Sequence, residues 1–173
     1  MSEIIHPILG ADVYIAPTAF VAGDVVIGDQ CTIMHHVVIR GDVASIRIGN
    51  RVNIQDGSVV HTQTGVPLVM GDDIGVGHRA VVHCSRVGNR TLIGIGAVVL
   101  DDCVIGSCCL IAAGSLLPPR MVVPDGKLVM GAPARIVRDI TEKDLEVIDH
   151  VVRNYVRLGR DYANGRYPNI AGP

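Results

Sequence analysis

The sequence contains no tryptophan and one phenylalanine, and aromatics make up only 3% of its 173 residues. A core in a chain of this length must therefore be filled by aliphatic side chains. Long apolar runs are also missing, and none approaches the ~18 residues a membrane span needs. The N-terminal Met-Ser-Glu-Ile-Ile-His-Pro lacks a basic stretch and an apolar segment, so no signal peptide is expected. Neither sign of charge dominates, with 15 Lys and Arg against 17 Asp and Glu. That balance excludes an electrostatic nucleic-acid binder and a basic membrane-surface protein. The five cysteines are odd in number and form no CxxC pair. This argues against a disulfide framework and for a reducing, cytoplasmic location.

Val and Ile are abundant, 46 together, and Gly contributes 20 more residues. β-branched side chains favour strands. An aliphatic residue (Met once) recurs every six positions, at Ile15, Val21, Ile27, Ile33 and Ile39. After an offset the series resumes at Ile48, Ile54 and Val60, and after a second at Met70, Val76 and Val82. A third offset leads into Val87, Ile93, Val99, Ile105, Ile111, Leu117, Val123 and Val129, which completes nineteen hexads. Gly often follows the aliphatic, as at Gly28, Gly49, Gly77 and Gly88. The fifth residue is usually small or branched, as at Val25, Cys31, Val37, Val43, Val52, Ser58, Ala80, Cys103 and Cys109. The period predicts short strands joined by tight corners, with Gly supplying positive φ. The aliphatic and fifth residues should point inward.

Residues 12 to 134 carry this pattern, which resembles the hexapeptide-repeat proteins. The resemblance implies an all-β fold, a left-handed parallel β-helix of about six coils spanning residues 1–140. The left hand comes from the resemblance alone, because the general rule for parallel crossovers gives the opposite hand. Thr141-Glu-Lys-Asp144 reads as a helix start with acidic residues in the first turn. Leu145, Ile148, Val152, Tyr155 and Tyr162 follow at helical spacing. A C-terminal α-helix over 141–163 should thus pack alongside, followed by a flexible polar tail over 164–173.

With three hexads per coil, every third hexad stacks into a column. His61 follows Val60 and His83 follows Val82, so both occupy one outward slot of the second column, a coil apart. Adjacent rungs lie ~4.7–4.9 Å apart. Two imidazoles at that spacing can lean onto one cation at ~2.0–2.1 Å per bond. His78 belongs to the first column, stacked after Asp56 and His35, and faces another way. A neighbouring subunit could bring it to the site, and three-fold symmetry would then close a ring with three equivalent centres. Three neutral imidazoles with an open position are the ligand set of catalytic zinc. Iron or cobalt would accept the same set. His6, His35, His36 and His150 read as ordinary surface or core residues, and Asp101-Asp102 as a solvated corner. Cys31, Cys84, Cys103 and Cys109 read as small structural hydrophobes.

Arg40-Gly-Asp42, Asn53-Ile-Gln-Asp-Gly57, His61, Gly77-His78, His83, Gly131-Ala-Pro133 and Asn154-Tyr155-Val156 together resemble the γ-class carbonic anhydrases. The resemblance implies a homotrimer in which two ligands, His61 and His83, come from one subunit and His78 from the next. It implies zinc that lowers the pKa of bound water towards ~7, giving the hydroxide that converts CO₂ to bicarbonate. By the same resemblance Gln55 orients that hydroxide with Asn53 nearby. Arg40 and Asp56 form an ion pair between subunits, and Tyr155 is an active-site tyrosine. Tyr155 reads equally as a packing residue of the helix stripe.

Two positions depart from the family archetype. Val43 stands where an active-site Glu is found, and the loop Thr62-Gln-Thr-Gly-Val-Pro-Leu68 carries no Glu for proton transfer. Proton export would then fall to buffer or turnover would drop. Two other readings stay open: an acyl-CoA-dependent transferase or thioesterase, and a weakly catalytic metal-binding or assembly subunit. The fold alone does not choose between them.

Overall fold

The computed structural model describes residues 4–170; the last three residues of the expected tail, 171–173, lie outside them. The chain coils into a left-handed parallel β-solenoid of about seven turns, followed by one helix. Parallel pairing follows the expected columns. In the second column Val38–Ile39, Val59–Val60, Val81–Val82, Val98–Val99 and Leu116–Leu117 stack in register. In the first, Thr32–Ile33, Asn53–Ile54, Gly75–Val76, Leu92–Ile93 and Leu110–Ile111 do the same. The turn beyond the expected six includes Ile8–Leu9, which pairs with Val26–Ile27 ahead of the first recognisable hexad.

Each turn places an aliphatic from every column on the axis. Ile33, Ile54, Val76, Ile93 and Ile111 are fully buried, as are Ile39, Val60, Val82, Val99 and Leu117. The fifth residues fill the corners between them, and Val37, Val52, Ser58, Ala80 and Cys103 are equally buried. Val43 is an exception. It is exposed, because the continuous strand Val38–Ile48 carries three residues more than a hexad there and turns it outward. The buried thiols of Cys31 and Cys84 are pushed up to about 11 and about 12 by desolvation, which makes them unreactive packing groups.

The glycines play a different part from the one expected. Positive φ belongs to the fourth residue of the hexad, at Gln30 (56°), Arg51 (53°), Arg79 (58°) and Arg90 (52°) as well as at Gly57 and Gly96. The glycines behind the aliphatics answer to the spacing between coils. A Cβ on Gly49 would lie 2.6 Å from the backbone of Gly71, and one on Gly77 2.6 Å from the amide nitrogen of Ile95. Rungs this close leave no room for a methyl group.

The last rung, Lys127–Gly131, turns back into an antiparallel partner, Ala134–Asp139, which covers the open edge of the first column. Helix α1 (Glu142–Ala163) then runs down that column. Thr141 caps it, and Asp144 closes a capping box. Ile148 and Val152 are buried beneath it. Gly159 sits so close to the coil that a Cβ there would meet Thr32 Oγ1 at 2.5 Å, and that hydroxyl donates to the carbonyl of Tyr155 at 2.8 Å. Beyond the helix, the ring of Tyr167 rests 5.2 Å from that of Tyr162. Among the described residues no helix is long and apolar enough to cross a membrane.

A two-pronged ion pair fastens the helix, with Arg90 donating to Asp149 at 2.8 and 2.7 Å. The Arg90 hydrogen bonds hold the Asp149 carboxyl below its ordinary value. A depressed carboxylate stabilises the fold above its unfolded value of about 3.9, and that contribution is lost as pH falls through the folded value. Asp149→Asn should therefore lower stability at pH 7 by under about 1 kcal/mol, since the pair is partly exposed. The gap to the parent should close below about pH 4; urea midpoints across the pH range measure it.

Candidate metal centre

His61 and His83 follow directly on Val59–Val60 and Val81–Val82, and the ladder clamps their backbones. The His61 amide donates to the carbonyl of Val82 at 3.0 Å and that of His83 to Val99 at 2.9 Å. This stacking brings the two rings together, with Nδ1 of His61 3.2 Å from Nε2 of His83. Each far nitrogen meets a carboxylate. His61 Nε2 lies 2.9 Å from Asp42 Oδ1, and His83 Nδ1 2.5 Å from Asp101 Oδ1. The bond from His61 holds the Asp42 carboxyl below its ordinary value. In the tautomers that give each far N–H to its carboxylate, the two facing nitrogens present lone pairs to each other. A shared cation satisfies both, and carboxylate-buttressed imidazoles are the usual setting of a metal ligand. The donor set thus fits zinc, iron or cobalt.

His78 lies at another corner of the prism, after Gly77 and just before Arg79, whose φ is 58°. Its carbonyl accepts the amide of Gly96 at 2.9 Å. It too has a carboxylate, Asp56, with Nδ1 to Oδ2 at 3.0 Å. Its Nε2 stands 3.4 Å from the hydroxyl of Tyr155, carried on α1. Burial, with Asp56 next, pushes the Tyr155 hydroxyl up to about 12, so it stays protonated at neutral pH. Among the described residues of one chain, no three His, Cys, Asp or Glu side chains converge around a single point.

Gln55 and Asn53 are buried side by side on the first column. Gln55 Nε2 donates to Asn53 Oδ1 at 3.0 Å, and Asn53 Nδ2 to the carbonyl of Ile74 at 3.3 Å. Gln55 and Gly77 open onto an apolar pocket of 360 Å³, lined further by Ile95, Ala113 and Val151. Within one chain Arg40 pairs with Asp42, and Asp56 with His78, so Arg40 and Asp56 are not partners of one another there. Asp101, read from the sequence as part of a solvated corner, is the carboxylate that meets His83. It stands one turn beyond His83 on the same column, a position the column arithmetic would have exposed had it been applied to carboxylates as well as histidines.

A solenoid of hexads that sets carboxylate-paired histidines on adjacent turns defines a hexapeptide-repeat protein with a histidine site on its outer face. Residues 1–160 match the family described as dynactin subunit 5. The chain is 43% identical over 165 residues to a carbonic anhydrase of Geobacillus kaustophilus, covering 92% of this chain and 91% of that protein. It is 37% identical to the mitochondrial gamma carbonic anhydrase 2 of Arabidopsis thaliana, over 91% of this chain and 59% of that longer protein. The crystal structure of a hexapeptide transferase family protein from Anaplasma phagocytophilum superposes with a TM-score of 0.85 at 37% identity, covering 90% of this chain and 92% of that one. The chain belongs to the γ-carbonic-anhydrase-like family of hexapeptide-repeat proteins.

Proposed function

We propose that the protein is a metal-dependent carbonic anhydrase that interconverts CO₂ and bicarbonate in the cytoplasm, acting as a homotrimer. The observation that supports this reading most is the meeting of His61 and His83 between two carboxylates. His78 of an adjacent protomer would complete the ligand set. The three imidazoles would hold zinc, which would supply the Lewis acidity that lowers the pKa of a bound water towards about 7.

The chain's own side chains do the remaining work. Gln55, held by Asn53, orients the attacking oxygen. The pocket beside it offers CO₂ an apolar approach. The Tyr155 hydroxyl, beside His78, stands at the edge of the site. Arg40 and Asp56 exchange their partners within the chain for each other across the subunit boundary. Overall, CO₂ and water give bicarbonate and one proton. Val43 and the Glu-free loop leave that proton to buffer. Stopped-flow CO₂ hydration on anaerobically purified, zinc- or iron-loaded protein tests the reading. The expected rate rises with buffer concentration; a metal-loaded protein no faster than buffer alone refutes it.

A second reading, transfer or hydrolysis of a small acyl thioester, draws on the same apolar pocket. It predicts turnover of acyl-CoA by metal-loaded protein that does not hydrate CO₂.

A further inference from the structure

Asp42, His61, His83 and Asp101 occupy four successive turns of the second column and form one continuous line of contacts, at 2.9, 3.2 and 2.5 Å. Asp42 and its neighbour Arg40 belong to the motif that carries the family resemblance; Asp101 does not. Its backbone is nonetheless fixed as firmly as that of the histidines. The Asp101 carbonyl accepts the amide of Arg120 from the next turn at 2.8 Å, and Asp102 beyond it holds the corner with a φ of 57°. The carboxylate is thereby delivered to one nitrogen of one ring.

We infer that Asp101 is a positioning residue for the metal, fixing the tautomer and direction of the His83 ring. This rests on the proposed role of His61 and His83 as ligands. Imidazole has two nitrogens and rotates about two bonds, so a ligand ring without a second partner can offer the cation a proton instead of a lone pair. Asp101 removes that freedom by accepting from Nδ1–H, which leaves Nε2 bare towards His61. A surface ion pair of the same geometry would do nothing for a cation, so the two roles separate on metal affinity.

The experiment measures zinc affinity of the full-length protein by competition with a chromophoric chelator. Asp101→Ala should bind zinc about 10–100-fold more weakly than the parent, and Asp101→Asn less so, because its amide oxygen still accepts the ring N–H. The cobalt-loaded Asp101→Asn protein should show a shifted visible absorption band. The metal-free Asp101→Ala protein should melt at the parent's temperature. Zinc affinity of Asp101→Ala within about twofold of the parent overturns the inference, because a true ligand buttress is worth at least tenfold. A metal-free melting point that falls together with affinity also overturns it, by assigning Asp101 a structural part. His83→Ala tells this failure from failure of the underlying site. If His83→Ala loses zinc while Asp101→Ala keeps it, only the role of Asp101 falls. If both keep it, the ligand assignment falls.

Discussion

Replacing His61 with alanine is expected to abolish tight zinc binding and, with it, CO₂ hydration above buffer. The loss should exceed the roughly 10–100-fold that a ligand's hydrogen-bond partner is worth, since the bond to the cation itself disappears. His83 and the neighbouring protomer's His78 would remain, and two imidazoles make a much weaker chelate than three. The fold should survive, because the His61 backbone amide still donates to Val82 and the side chain is outside the core. Metal analysis after dialysis, read beside a thermal melt, checks both halves. Stoichiometric zinc on His61→Ala would mean that the side-by-side rings are not the centre.

The second large effect concerns glycine. Gly88→Ala would put a methyl carbon 2.5 Å from the backbone of Gly106 and Ser107, where no flexible side chain can yield. The loss should reach the top of the ~1–3 kcal/mol range for overpacking, or exceed it, because a whole rung must move. Gly96 is the contrasting case, although its φ is +66° and Gly88's is not positive. A Cβ on Gly96 meets nothing within 4 Å. The same corner one and three turns away is held by Arg79 and His36, with φ of 58° and 59°. Gly96→Asn should therefore cost no more than about 1 kcal/mol. Urea denaturation of the two variants should rank them in that order; near-equal midpoints would contradict the steric account.

That contrast also explains what was legible beforehand. The period of six translated directly into columns, because each rung repeats the one below it and errors do not accumulate along the stack. Hence the placement of Ile54, Val76 and Val82, and the shared slot of His61 and His83, followed from counting. Three features did not. The pattern shows that Gly follows the aliphatic but not why, and conformational freedom was the wrong reason: the glycines make room for the neighbouring coil. Val43 fell outside because an offset between Ile39 and Ile48 conceals where the extra residues go. Asp101 was missed because a carboxylate pair at a corner looks solvated until the turn beneath it is known to carry an imidazole. His78 illustrates a different boundary, since one chain's columns say which face it occupies but not what faces it.

Because each member of the line from Asp42 to Asp101 comes from its own turn, no fragment shorter than four turns can hold the quartet. Whole turns gained or lost beyond Leu116 would leave it intact and merely lengthen or shorten the rod. Loss of a single hexad between Val60 and Val82 would instead rotate everything after it by a third of a circle, moving His83 to a different face from His61. Variation in length is thus harmless at the far end and ruinous in the middle.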